Sequence, residues 1–223
     1  MSMSAHRNRH PRAAPDTAES LDEQLVATGC AARAIVGGLT AVQFNWRPAA
    51  ARWSVGEHLA HLNLVDASYL PHLDAMLART AVAARTTHPA RPRRLGAWLV
   101  RATEPPVRLK VRTARRFVPA SRRDAPALDP GAVLAEFAST RQALRERLAR
   151  ASGRDLDAIQ ARYTPGLGPA RFVVLSLGQW FALTAAHDRR HLWSAERVTH
   201  EALFPRPMRV APPREHQPSP TGP

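Results

Sequence analysis

Residues 53–62, WSVGEHLAHL, contain the start signal of a helix. Ser54 and Glu57 have the spacing of a capping box, in which the serine hydroxyl accepts from a backbone N–H and the glutamate reaches back to the N-cap. Trp53 precedes them and is placed to pack on the first turn. Helical periodicity continues to about residue 83. We therefore predict a helix from Ser54 to Ala83, which Pro71 would kink or divide, and we interpret Glu57 as a capping residue rather than a catalytic carboxylate.

Three more stretches have helical periodicity, at about 17–39, 130–151 and 172–200. The first stops at Gly37-Gly38, and a short helical turn is expected at 155–161. An alternation of apolar and basic residues at 107–111 has strand period but no partner, so we interpret it as irregular. These patterns predict an all-α four-helix bundle over residues 16–204, with a long basic excursion between the second and third helices.

Composition bounds the class of protein. The 223 residues are 44% hydrophobic and 22% charged, which is typical of one globular domain. The lone cysteine, Cys30, excludes an internal disulfide and a cysteine-rich zinc module, and we expect it to be a small buried residue. No signal peptide is visible, and the longest uncharged run, 172–186, is too short to span a membrane. We therefore expect a cytoplasmic protein without a membrane partner. The basic tail 1–15 and the proline-rich tail 205–223 are expected to be disordered.

The positive charge lies mostly in one segment. Of the net charge of +14, residues 85–123 supply +11, from twelve basic residues and one acid, Glu104. The favoured interpretation is a solvated loop. The alternative is contact with nucleic acid or an acidic partner. Because only Trp98 and Phe117 could stack on bases, we expect such contact to be weak and independent of base sequence.

Four of the ten histidines suggest metal chemistry. His187 and His191 lie four residues apart on the predicted inner seam of the last helix, about 6 Å apart along its axis. Two imidazoles so placed can bind one divalent ion, but a tight site needs a third ligand from another helix. On the second helix, His61 lies deeper than His58 and is better placed for the interior. The alternative is that these histidines are hydrogen-bonded polar residues of the core.

Three motifs resemble those of the DinB-like metal-binding four-helix bundles. They are WRP at 46–48 with WSVGEHLAHL at 53–62, FVP at 117–119, and HDRRHL at 187–192. The similarity extends over about residues 20–200. It implies that His61, His187 and His191 hold a divalent ion such as zinc or nickel. It also implies an activity among those of the family, which includes thiol-dependent transferases and isomerases, metal-dependent hydrolases, and members with no known activity.

Three ligands would leave an open coordination position, as in catalytic sites. We therefore expect a metal-dependent enzyme that acts on a small molecule by hydrolysis or by transfer to a low-molecular-weight thiol. Asp66 and Asp188 are candidates to orient the imidazoles from behind, although a surface or helix-pairing role is favoured for each. No catalytic residue is assigned. The alternative is a non-catalytic binding or scaffold protein that uses segment 85–123, and a homodimer is compatible with either interpretation.

Overall fold

The structure is a computed structural model that describes residues 17–83, 94–107, 113–122, 126–163 and 173–206. Its elements in chain order are α1 (Ala18–Val36), α2 (Ala41–Asn45), α3 (Val55–Ala83), α4 (Arg94–Thr103), α5 (Pro130–Arg150), β1 (Gln160–Tyr163), β2 (Val173–Ser176) and α6 (Leu177–Thr199). The described chain is mostly helical, and the predicted all-α class is confirmed. Tail 1–15, most of tail 205–223 and most of the alternation at 107–111 lie outside the described residues.

The four long helices form the bundle. Helix α1 packs against α5 and α6, and α3 packs against the same two helices, so α1 and α3 lie on opposite corners. One core cluster joins the start of α1 and the start of α6 to the later turns of α3 and α5. A second cluster joins the opposite ends of the same helices. It follows that α1 is parallel to α6, that α3 is parallel to α5, and that the two pairs run in opposite directions.

This topology accounts for the length of the basic excursion. Because α3 and α5 are parallel, the chain must return along the whole bundle between them, and a parallel connection is necessarily long. The sequence predicts an irregular loop here, but the described parts of the connection are partly helical. They contain α4 and two short 3-10 turns, at Arg115–Phe117 and Ala120–Arg122. Helix α4 packs on α6 at Gly96, where an added Cβ would lie 2.5 Å from Gln179 Oε1.

The helix ends follow local signals. Helix α3 begins as predicted, since Ser54 N donates to Glu57 Oε2 at 2.9 Å and Glu57 N donates to Ser54 Oγ at 3.1 Å. It continues through Pro71 as one helix and does not end there. Helix α1 ends at Val36, immediately before Gly37-Gly38, and Gly38 has a φ of 92° that favours glycine.

Three expectations are corrected. The segment 155–161 is a turn leading into β1 rather than a helical turn, and α6 begins at Leu177 rather than at 172 because residues 173–176 form β2. Strands β1 and β2 pair antiparallel, with Tyr163 opposite Val173. Cys30 is exposed on α1 rather than buried. No helix in the described part of the chain is both long and apolar enough to cross a membrane.

Candidate metal centre

Three histidines from two helices converge inside the bundle. His61 lies two turns into α3, whereas His187 and His191 lie one turn apart on α6. One potential ligand atom from each lies within 4.8 Å of the others, a spacing at which the group could hold a metal ion. The ring centroids are 5.3 Å apart for His61 and His187, 4.5 Å for His61 and His191, and 4.6 Å for His187 and His191. The structure thus brings together the three histidines that the motifs indicated.

The connection between α3 and α5 orients His61. The backbone carbonyl of Phe117 lies 2.8 Å from Nδ1 of His61. A carbonyl oxygen can only accept a hydrogen bond, so Nδ1 carries the proton and Nε2 of a neutral ring keeps its lone pair. A backbone carbonyl behind a histidine is a common partner of a metal-binding imidazole. The FVP turn therefore positions one candidate ligand.

His187 carries an unsatisfied atom that fits the same interpretation. Its Nδ1 is buried and has no hydrogen-bond partner among the described residues. Buried polar atoms without a partner are rare and call for an explanation such as an ion or a water molecule. A metal ion bound at Nδ1 itself would provide one.

His58 lies closer to the centre than its sequence position indicated. Its Nδ1 is 3.1 Å from Nδ1 of His191, and the two ring centroids are 5.3 Å apart. Trp53 lies against these two rings and against His61, with centroid distances of 5.3, 5.9 and 5.0 Å respectively. The cluster therefore consists of four imidazoles with an indole along one side.

Burial keeps all four imidazoles neutral. It lowers the pKa of His58 and of His187 to about 3, lowers the pKa of His191 well below its ordinary value, and lowers that of His61 against the opposing effect of its bond to the Phe117 carbonyl. The nearness of the rings to one another adds to the effect at His58, His187 and His191. Because a metal ion needs the lone pair of a neutral imidazole, the cluster is ready to bind near pH 7.

Two arginine side chains add positive charge near the cluster. Arg52 further lowers the pKa of His58, and Arg190 further lowers the pKa values of His187 and His191. Arg52 also forms an ion pair with Glu201, at 2.7 Å. Burial lowers the pKa of the Arg190 guanidinium itself.

Asp66 and Asp188 bind an arginine that sequence reasoning did not single out. Both are fully buried, and Arg141 of α5 donates from Nη1 to Asp188 Oδ2 and from Nη2 to Asp66 Oδ2. No described hydrogen bond joins either carboxylate to a histidine ring. Asp66 of α3 and Asp188 of α6 are therefore joined through Arg141 of α5, as a helix-pairing role requires. The sequence feature that indicates a buried Arg141 is its position between Phe137 and Leu144 on the apolar stripe of α5.

Glu57 is held in its structural role. It is 1% exposed, and Arg47 binds it from Nε at 3.0 Å and from Nη2 at 2.5 Å. The Ser121 hydroxyl donates to it at 3.3 Å. Glu57 thus ties the start of α3 to the preceding loop and to the connection that carries Phe117.

The fold and the site define a helical bundle with a three-histidine group that could hold a metal ion. The family model of the DinB superfamily matches residues 24–195. The chain belongs to the DinB superfamily. No curated protein and no solved structure matches the chain.

Proposed function

We propose that this protein is a metal-dependent enzyme whose centre is formed by His61, His187 and His191. The observation that carries the proposal is the convergence of three neutral imidazoles from α3 and α6. Within the described residues, no cysteine or carboxylate belongs to this group. Three protein ligands are typical of catalytic centres, because they leave a position for water or substrate.

The chain's own residues supply binding, orientation and charge. A divalent ion held there would act as a Lewis acid and lower the pKa of a water or thiol in the open position. The Phe117 carbonyl orients His61, and Trp53 packs against the rings of His58, His61 and His191. The positive charge of Arg190 near the cluster favours an anionic group there. This environment suits hydrolysis, and it equally suits transfer to a low-molecular-weight thiol bound as a thiolate.

Metal binding tests the proposal directly. We expect the protein, stripped with a chelator, to bind zinc or nickel at one equivalent, measured by competition with a metal indicator. His61→Ala, His187→Ala and His191→Ala should each weaken binding by more than the roughly 10- to 100-fold typical of residues behind the ligands. His72→Ala is the matched control, because His72 is exposed on α3. Unchanged metal content in all three variants would refute the metal centre.

The reaction class is tested on the metal-loaded protein. Chromogenic esters and amides are incubated with it, and electrophilic small molecules are incubated with and without a low-molecular-weight thiol. Metal-dependent turnover that needs no thiol indicates hydrolysis, whereas metal-dependent consumption of thiol indicates transfer. Either activity should disappear in His187→Ala. A loaded protein that performs neither reaction on any substrate tested would favour the scaffold interpretation.

A further inference from the structure

The contact between His58 and His191 has no part in the proposed function as stated above. Their Nδ1 atoms face each other at 3.1 Å, within hydrogen-bond distance. His58 lies one turn before His61 on α3, whereas His191 lies on α6, so the contact joins the two helices that carry the candidate ligands.

Proton placement decides what this contact does. Two facing nitrogens can bond only when one donates and the other accepts. If His191 accepts, its proton is on Nε2 and neither ring nitrogen is free for a metal ion. If His191 donates from Nδ1, its Nε2 keeps a lone pair. A metal-binding His191 that keeps this bond is therefore the donor.

We propose that His58 is a positioning residue of the metal centre, which accepts a hydrogen bond from Nδ1–H of His191 and thereby holds Nε2 of His191 as the ligand atom. The inference rests on the proposed metal centre. The role matches that of the Phe117 carbonyl, which accepts from Nδ1 of His61 at 2.8 Å. Two candidate ligands would thus be fixed by the same device, once by a backbone oxygen and once by a neutral imidazole.

Packing supports a fixed arrangement of the two rings. Trp53 contacts both, with its centroid 5.3 Å from that of His58 and 5.9 Å from that of His191. His191 also lies 4.6 Å from His187, centroid to centroid. The contacts of His58 with the indole and with the His191 ring restrict its rotation, so its Nδ1 remains directed at His191.

Nitrogen NMR of the ¹⁵N-histidine-labelled protein reads the proton positions directly. We expect His191 to carry its proton on Nδ1 in the metal-free protein, and zinc to shift its Nε2 while the resonances of His58 change little. A His191 protonated on Nε2 would overturn the proposal. A large zinc-induced shift at a nitrogen of His58 would also overturn it, because His58 would then be a ligand.

Two substitutions separate positioning from packing. His58→Leu fills the space without an acceptor, and we expect zinc affinity to fall about 10- to 100-fold. His58→Asn places an amide oxygen near the position of Nδ1 and should keep affinity close to that of the unsubstituted protein. His72→Leu is the control on the same helix. Unchanged affinity in His58→Leu would overturn the proposal, as would equal losses in His58→Leu and His58→Asn. If the protein bound no zinc at all, the proposed function would fail, whereas the His191 proton position in the metal-free protein would still test the hydrogen bond.

Discussion

Arg141 is a cation buried between two carboxylates in the interior of the bundle. It is 4% exposed and bridges two fully buried carboxylates. Burial, together with the charge of Asp188, raises the pKa of Asp66 to about 8 against the opposing effect of Arg141. Burial raises the pKa of Asp188 as well. Near pH 7 Asp66 is therefore mostly protonated, which reduces the negative charge buried with Arg141.

Removing the arginine should destabilise the protein strongly. Arg141→Leu leaves the two aspartates buried without a cation, and breaking such a cluster typically costs about 3–5 kcal/mol. We expect a loss of that size in the free energy of unfolding of the metal-free protein, measured in urea. Arg145→Leu, one turn further along α5, breaks a partly exposed pair with Asp22 and should cost about 0–1 kcal/mol. Equal effects of the two substitutions would contradict this account.

At the scale of single elements, capping boxes set where helices begin. Helices α1, α2 and α6 have Thr17, Thr40 and Ser176 as N-caps, each bonded reciprocally to the residue three positions later. Helix α3 uses Ser54 and Glu57 in the same way. These signals span four residues of sequence, so they are readable without the tertiary structure.

Two glycines in helices should respond in opposite ways to alanine. A Cβ on Gly56 would lie 2.5 Å from Phe44, whose ring is fully buried, so Gly56→Ala should cost about 1–3 kcal/mol through overpacking. A Cβ on Gly29 would meet only the end of the flexible Arg33 side chain at 3.9 Å. Gly29→Ala should therefore gain about 0.5–1 kcal/mol from helix propensity. Urea unfolding of both variants checks the signs, and a stabilised Gly56→Ala would show that α2 does not pack tightly on α3.

For the whole molecule, the buried histidines make stability depend on pH. His58 and His187 have pKa values of about 3 in the folded protein and about 6.5 in the unfolded chain. Between these values the unfolded chain binds more protons, so each histidine removes about 1.4 kcal/mol of stability per unit of falling pH. His61 and His191 act in the same direction. The raised pKa of Asp66 acts in the opposite direction, because the folded state holds its proton up to about pH 8.

We therefore expect the stability of the metal-free protein to be greatest near pH 6.5. Below this pH the histidines outweigh the aspartates and stability falls steeply. Above it the histidines are neutral in both states, and stability falls toward pH 8 because folded Asp66 holds a proton that the unfolded chain has already released. Urea unfolding at pH 5, 6.5 and 8 measures both arms, and Asp66→Asn should flatten the upper arm. Stability that rose steadily from pH 6.5 to 8 would contradict this prediction.

The basic connection between α3 and α5 remains a candidate for contact with nucleic acid. Its described residues already serve the bundle, since Phe117 bonds to His61 and Ser121 to Glu57. We expect only weak, sequence-independent retention of DNA, lost steeply as salt rises because each neutralised phosphate releases counterions. Replacing Arg115 and Arg116, both exposed, by glutamine should weaken it further. Tight, sequence-selective binding at physiological salt would instead support the binding-protein interpretation.

Local sequence patterns were enough to predict the four long helices and the two motifs that carry the candidate ligands. The apolar periodicity predicted α1, α3, α5 and most of α6, and the spacing of His187 and His191 places both on one face of α6 because a helix repeats every 3.6 residues. Sequence patterns did not reveal the β hairpin, since β1 and β2 are short and each is stabilised by pairing with the other.

Only the tertiary structure decided which groups meet around the histidines. The contacts of His58 with His191, of His61 with the Phe117 carbonyl, and of Arg141 with two aspartates join residues 47 to 133 positions apart. One of these partners is a backbone atom, which no side-chain pattern can indicate. The side-chain contacts form only because α3, α5 and α6 pack against one another in the bundle. They therefore follow from the arrangement of the helices rather than from the sequence of any one of them.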